Sequence, residues 1–273
     1  LAESTVDDAG GQLTGTLNSG GMSILGHPFE SVESTFTADA TQLQVHTMRT
    51  RLHEGELRHT RADAPALTYT FASTEAPEGR LSANLGFDRV DVFSLLSTSG
   101  WANPPYRGLA SGQFELIHLD GNNLVGAEAT GDLKVSDADL GKVPLFKAIY
   151  AQLPPADQPR FHQLDSQLRL TERAMQFERL EVRSDILAVK GKGKLDLDGY
   201  LDVQMELDGL LGESADPLLM PFVEYIAKNL ISFRLFGHLR DLRASTEFLG
   251  SRTPRRPAVL SMPPTRARPK PPG

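Results

Sequence analysis

The sequence predicts a mainly β protein, an antiparallel meander forming a twisted open groove or taco-like sheet, with two short packing helices. Three observations carry that prediction. The first is alternation: from Leu187 to Leu197 the odd positions read Leu187, Val189, Gly191, Gly193, Leu195 and Leu197, while Lys190, Lys192, Lys194 and Asp196 stand between them. Period-two patterning of this kind marks a strand with one apolar face. The second is turn punctuation: after Asp198-Gly199 the phase resumes as Leu201, Val203, Met205 and Leu207 against Asp202, Gln204, Glu206 and Asp208, which predicts a hairpin. The third is an internal repeat. With Phe29 aligned to Phe161, Val32 falls on Leu164, Phe36 on Leu168, Leu43 on Met175, Val45 on Phe177, Met48 on Leu180 and Leu57 on Val189 at one constant offset. Both copies change phase at the same place, between Val45 and Met48 and between Phe177 and Leu180, as a shared β-bulge requires.

In chain order, residues 1–10 read as a flexible lead-in. The phrase of Gly followed by polar-apolar-polar-apolar recurs at Gly11, Gly112, Gly131 and Gly193, each a turn or bulge feeding a half-buried strand. Residues 11–250 form one β-groove region. Within it lie two related strand modules, about 11–60 and 112–210, and a helix-plus-strands element at 216–249. Between the modules, Leu67, Tyr69 and Phe71, then Leu81, Ala83, Leu85 and Phe87, keep phase as a strand pair, and residues 97–108 with Trp101 and Pro104-Pro105 read as a loop. The later module has a longer connection before its phenylalanine, and the surplus holds a predicted helix at 143–153. Pro144 suits its first turn, Leu145, Ile149 and Leu153 make one stripe, and Pro154-Pro155 ends it. A second helix is predicted over 217–230, with Asp216 as N-cap, Pro217 at the first position, and Phe222, Val223, Ile226 and Leu230 as its buried stripe. Phe233, Leu235, Gly237 and Leu239 then alternate again towards a last strand ending near Phe248. Residues 251–273 form a disordered, basic, Pro-rich tail.

Composition narrows the function classes. The 273 residues are 40% hydrophobic and 23% charged, enough to bury a core. The net charge of -7 hides an acidic body, because Arg252, Arg255, Arg256, Arg266, Arg268 and Lys270 fall in an acid-free tail; an acidic body argues against nucleic acid as partner. With no cysteine there are no disulfides or thiolate metal sites. No apolar run of about 18 residues, no signal-peptide pattern and no initiator Met is present, which reads as a piece of a longer protein. No Gly-x-Ser-x-Gly elbow, phosphate loop or dinucleotide fingerprint occurs, so no catalytic residue, cofactor or metal is assigned and the expectation is a protein that is not an enzyme. His46, His53 and His59 lie close in sequence without metal-ligand spacing and read as structural, and Asp196 to Gly199 lacks the ligand positions of a calcium loop.

Several stretches resemble one family. Ala129 to Ser136 (ATGDLKVS), Leu140 to Ile149 (LGKVPLFKAI), Phe161 to Leu180, Val189 to Asp202 (VKGKGKLDLDGYLD) and Phe233 to Leu242 (FRLFGHLRDL) resemble the carboxy-terminal region of AsmA-like proteins, relatives of the TamB and YhdP type in diderm bacteria. The resemblance covers most of residues 11–249. It implies a periplasmic protein, held in the inner membrane by an amino-terminal anchor missing from this chain, whose β-groove carries phospholipid or another acyl-chain lipid between inner and outer membranes. Such a role supports outer-membrane biogenesis and leaves room for an envelope protein partner. On that expectation Leu187, Val189, Gly191, Gly193, Leu195, Leu197, Leu201, Val203, Met205 and Leu207 line the groove, the two glycines leave room for the guest, and the lysine row faces water. The rival expectations are a non-catalytic envelope scaffold or interaction domain closed on its own β core, and a hydrolase of envelope polymers.

Overall fold

The computed structural model describes residues 3–9, 11–24, 26–73, 77–121, 123–140, 143, 160–171, 173–184, 187–210 and 230–248. The first half comprises strands β1 (Glu3–Ala9), β2 (Gln12–Ser19), β3 (Met22–Ile24), β4 (His27–Ala38), β5 (Gln42–Leu52), β6 (Gly55–His59), β7 (Leu67–Thr70) and β8 (Arg80–Asp91), then helix α1 (Val92–Thr98). The second half comprises β9 (Leu109–Asp120), β10 (Asn123–Ser136), β11 (Gln163–Thr171), β12 (Ala174–Arg183), β13 (Leu187–Asp196), β14 (Tyr200–Leu210), β15 (Leu230–His238) and β16 (Asp241–Phe248). All sixteen strands join one antiparallel sheet that follows chain order, with β3 beside β4 and β7 between β5 and β8. The mainly β meander is therefore as the alternation predicts.

The repeat is visible in the register. In the first copy Thr35 pairs with Thr47 and Phe36 with Val45, leaving His46 as the extra residue. In the second, Gln167 pairs with Arg179 and Leu168 with Phe177, leaving Glu178. Across the bulge each extra residue bonds the equivalent neighbour: His46 Nε2 lies 2.8 Å from Thr37 Oγ1, and Arg169 Nε donates to Glu178 Oε1 at 2.7 Å. Upstream, Gly15 opposes Phe36 as Gly131 opposes Leu168. Downstream, Thr50 opposes Leu57 as Val182 opposes Val189. Phe36 and Leu168 thus hold the same place in two copies of one strand module. The copies diverge where the strand after β5 is split, β6 pairing one end of β5 and β7 the other, whereas β13 runs on unbroken along β12.

Three expectations are corrected. Residues 3–9 are not a loose lead-in but an edge strand whose Val6 pairs with Gly15; their alternation is too polar to announce a strand, and the neighbouring ladder imposes it. Residues 92–98 form a helix that the sequence does not advertise, because seven residues hold too few turns to show a period. Asp91 caps it, accepting from the Ser94 amide at 2.7 Å. It stops at Gly100, whose φ of 85° lies in the left-handed region that favours glycine after a helix, with Trp101 N–H reaching back to Leu96 O. Leu230, expected at the end of a helix, opens strand β15. The rest of the two predicted helices, apart from Val143, lies outside the described residues, as does the tail from 251.

The sheet coils. The loop at 99–108 leaves the end of the strands where β8 stops and β9 starts, whereas the turn between β15 and β16 lies at their other end, where Leu239 N–H bonds Gly199 O beside the β13–β14 turn. In an unrolled sheet β9 and β15 would stand six strand spacings, roughly 29 Å, apart. Yet Arg240 Nη2 of that turn donates to Gly100 O at 3.5 Å. Accumulated strand twist brings the β15–β16 turn round to the loop.

Candidate functional site

Register assembles one face from many local alternations. Starting at β4, the partners Phe36, Val45, Leu67, Ala83, Leu116, Ala129, Leu170, Met175, Leu195 and Leu201 follow one another from strand to strand. No polar residue interrupts that row. A second row runs Leu85, Phe114, Gly131, Leu168, Phe177, Gly193, Val203, Leu235 and Ala244. Because side chains alternate strictly, both rows share one side of the sheet.

The two ends of this face differ in burial. Over β12–β16 it is sealed: Val189 is 0% exposed, Val203 and Phe233 1%, and Leu180, Val182, Leu201, Met205, Leu235 and Ala244 are buried with Phe161 and Val143 in one cluster. Tyr106, Leu140 and Leu239 pack against that cluster. Over β2–β9 the face is only half closed. Ala66, Ala83 and Leu85 form the one buried cluster described there, with Val45, Met48, Leu57 and Leu116 partly buried around it, while Val32, Thr50, Val90 and Ala110 are buried apart from it. Phe114 is 36% exposed.

The residues expected to line a groove therefore fare unequally. Val189, Leu201, Val203 and Met205 are in the dry cluster, and Leu195 packs against it. Gly191 and Gly193 do not leave room for a guest. A Cβ on Gly193 would lie 2.5 Å from Val203 Cα, and one on Gly191 2.9 Å from Met205 Cγ, so β14 and its side chains occupy that space. Leu197 lies beyond the end of β13 in the turn and is 44% exposed. Leu187 and Leu207 sit in their strands, paired with Leu210 and Val189; their side chains lie outside the described residues. The exposed apolar residues Phe114 and Phe71, the latter 38% exposed, fall in the other half of the face. Their alternation is plain in the sequence, but exposure is not a local property.

The other side of the sheet is wet. Lys190, Lys192 and Lys194 are exposed there, as the strand phase predicts. Ion pairs lace it: Arg234 grips Asp202 through two bonds of 2.8 and 2.7 Å, and Arg80 bonds its register partner Asp120 at 2.9 Å. Glu181 is the one buried carboxylate described, 4% exposed. Hydrogen bonds from Arg183 and Arg179 pull its pKa down to about 2. Both arginines sit two residues away on the same strand face, so the three charges form one ladder along β12.

The histidines go to separate partners. His46 holds the bulge. His53, at φ +49 in the turn before β6, places Nε2 3.1 Å from His27 Nδ1; burial first, then the neighbouring His27, lower its pKa. His59 buries Nε2 without a hydrogen-bond partner. Among the described residues no group of three His, Asp or Glu is placed to hold a metal ion, and no helix is long and apolar enough to cross a membrane. The chain matches no protein-family model, no curated protein and no solved structure.

Proposed function

We propose that this chain is part of a periplasmic bridge-like lipid-transfer protein of AsmA type, in which the apolar face of the sheet carries phospholipid or another acyl-chain lipid between inner and outer membranes and so supports outer-membrane biogenesis. The full-length protein would be anchored in the inner membrane and would meet an envelope protein partner at one end. The observation that supports this reading is the unbroken apolar row across the sheet, left half open from β4 to β9 with Phe114 and Phe71 exposed. Apolar surface left against water forfeits about 25 cal/mol per Å², which an acyl chain lying along the face would recover. The guest is placed on this open half, not on the β13–β14 hairpin, whose face its own side chains fill. Chemistry is not required of any residue. A second reading, a non-catalytic scaffold closed on its own core, is favoured by the burial of Val189, Val203 and Phe233.

Native mass spectrometry and lipid extraction of protein purified without detergent separate the two. The lipid reading expects co-purifying phospholipid, lost in Phe114→Glu while the melting temperature moves by no more than about 3 °C, the shift of a surface change. Protein that carries no lipid and takes up no added phospholipid leaves the scaffold reading standing.

A further inference from the structure

We infer that residues 100–108 form a strap that gates the apolar face, its displacement admitting an acyl chain to the part of the face that it covers. The inference rests on the lipid reading above. The strap is anchored at both ends and makes one slight contact across the sheet. At Gly108, φ is 136° and an added Cβ would meet Val135 Cγ1 at 2.8 Å and Ser136 O at 2.9 Å, so this end is clamped against β10. At the other end the Gly100 and Trp101 amides donate to Ser97 O and Leu96 O at 3.1 Å, tying the strap to the end of α1, with open space where a Gly100 Cβ would lie. Between them Pro104-Pro105 stiffens the chain, Pro104 is buried, and Tyr106 packs on the sealed cluster.

The far contact is slight for the distance it bridges. Gly100 O accepts a 3.5 Å bond from Arg240, whose guanidinium lies 5.9 Å from the Trp101 ring centroid, and Trp101 meets Tyr106 edge-on at 5.5 Å. Both contacts sit at the outer limit of their kind. They nevertheless join the loop before β9 to the β15–β16 turn, six strand spacings away along the sheet. The strap thus runs from β9, at the edge of the half-open region, onto the sealed cluster through Tyr106, with an exposed arginine as its latch. Its body is held by the buried Pro104 and by Tyr106 on the core, whereas its contact with the β15–β16 turn is a cation in solvent.

The protein carries its own reporter, since Trp101 is the only tryptophan and there is no cysteine. Uptake of a pyrene-labelled phosphatidylglycerol from vesicles would be timed for wild type, for Arg240→Ala, and for Ala102→Cys/Arg240→Cys before and after cross-linking with a short bis-maleimide. Trp101 emission and acrylamide quenching would be followed in parallel. Arg240→Ala should take up lipid at least severalfold faster, the cross-linked protein severalfold slower than its uncross-linked form, and loading of wild type should shift Trp101 to longer wavelength. Equal rates in all forms, with Trp101 unmoved, would overturn the gate and leave lipid carriage intact. Failure of every form to take up the probe would overturn both. The cross-linking comparison is made within one folded protein, so it decides the matter even if Arg240→Ala lowers stability.

Discussion

Replacing Val203 by aspartate, with Gln204→Asp as its control, tests how the sheet divides dry from wet. Val203 is 1% exposed, flanked by Gly193 on β13 and Leu235 on β15. The substitution removes a buried aliphatic side chain worth about 2 kcal/mol and puts in its place a carboxyl group without a hydrogen-bond partner, a further cost of about 2 kcal/mol while it stays neutral. A carboxyl group in that setting has its pKa raised. Stability lost to it therefore grows as pH rises: from the unfolded value of about 3.9 upward, each pH unit costs about 1.4 kcal/mol until the folded group ionises. Gln204, exposed and paired in register with Lys192 and Arg234, should accept aspartate within about 0.5 kcal/mol. Urea unfolding followed by circular dichroism at pH 4 and pH 7 reads both. Two variants with the same midpoint at both pH values would refute the assignment of the dry face, and with it the register argument behind the whole site.

Glu181 supplies a second test. Its pKa is lowered to about 2, so its stabilisation is present above the unfolded value of 4.5 and is lost as pH falls towards 2; the shift corresponds to at most about 3 kcal/mol, less what solvent screening of the half-exposed arginines removes. Glu181→Gln should flatten the acid limb of the stability curve between those values, seen in urea midpoints across that range. At Gly193 an added Cβ would fall 2.2 Å from Asp202 O, so Gly193→Ala should cost about 1–3 kcal/mol by forcing β13 and β14 apart; a neutral result in thermal melts would mean that the strands yield there. His53 has a lowered pKa, so between that value and about 6.5 the unfolded chain binds more protons and stability falls on acidification. His53→Gln should remove that fall, as measured by melting temperature between pH 7 and pH 5.

What the sequence determined by itself is whatever depends on a residue and its neighbours along two adjoining strands. The phase of Leu195, Leu201, Val203 and Met205 set their common face, and the doubled phase slip at Val45 and Phe177 set the bulges at His46 and Glu178, because a strand's side chains alternate strictly and only an inserted residue can shift them. Those same patterns could not say how the face is covered. Phe114 and Val203 lie in one row of partners and look alike in sequence, yet one is exposed and the other dry. The difference comes from coiling, a sum of small twists over many strands that brings Arg240 to Gly100 and Tyr106 onto the core of the later strands. Helix α1 and edge strand β1 escaped for a related reason, since seven-residue segments leave their conformation to a cap and to a neighbouring ladder. Tertiary structure alone decided which half of the apolar face is closed, because no residue carries the accumulated twist in its own pattern.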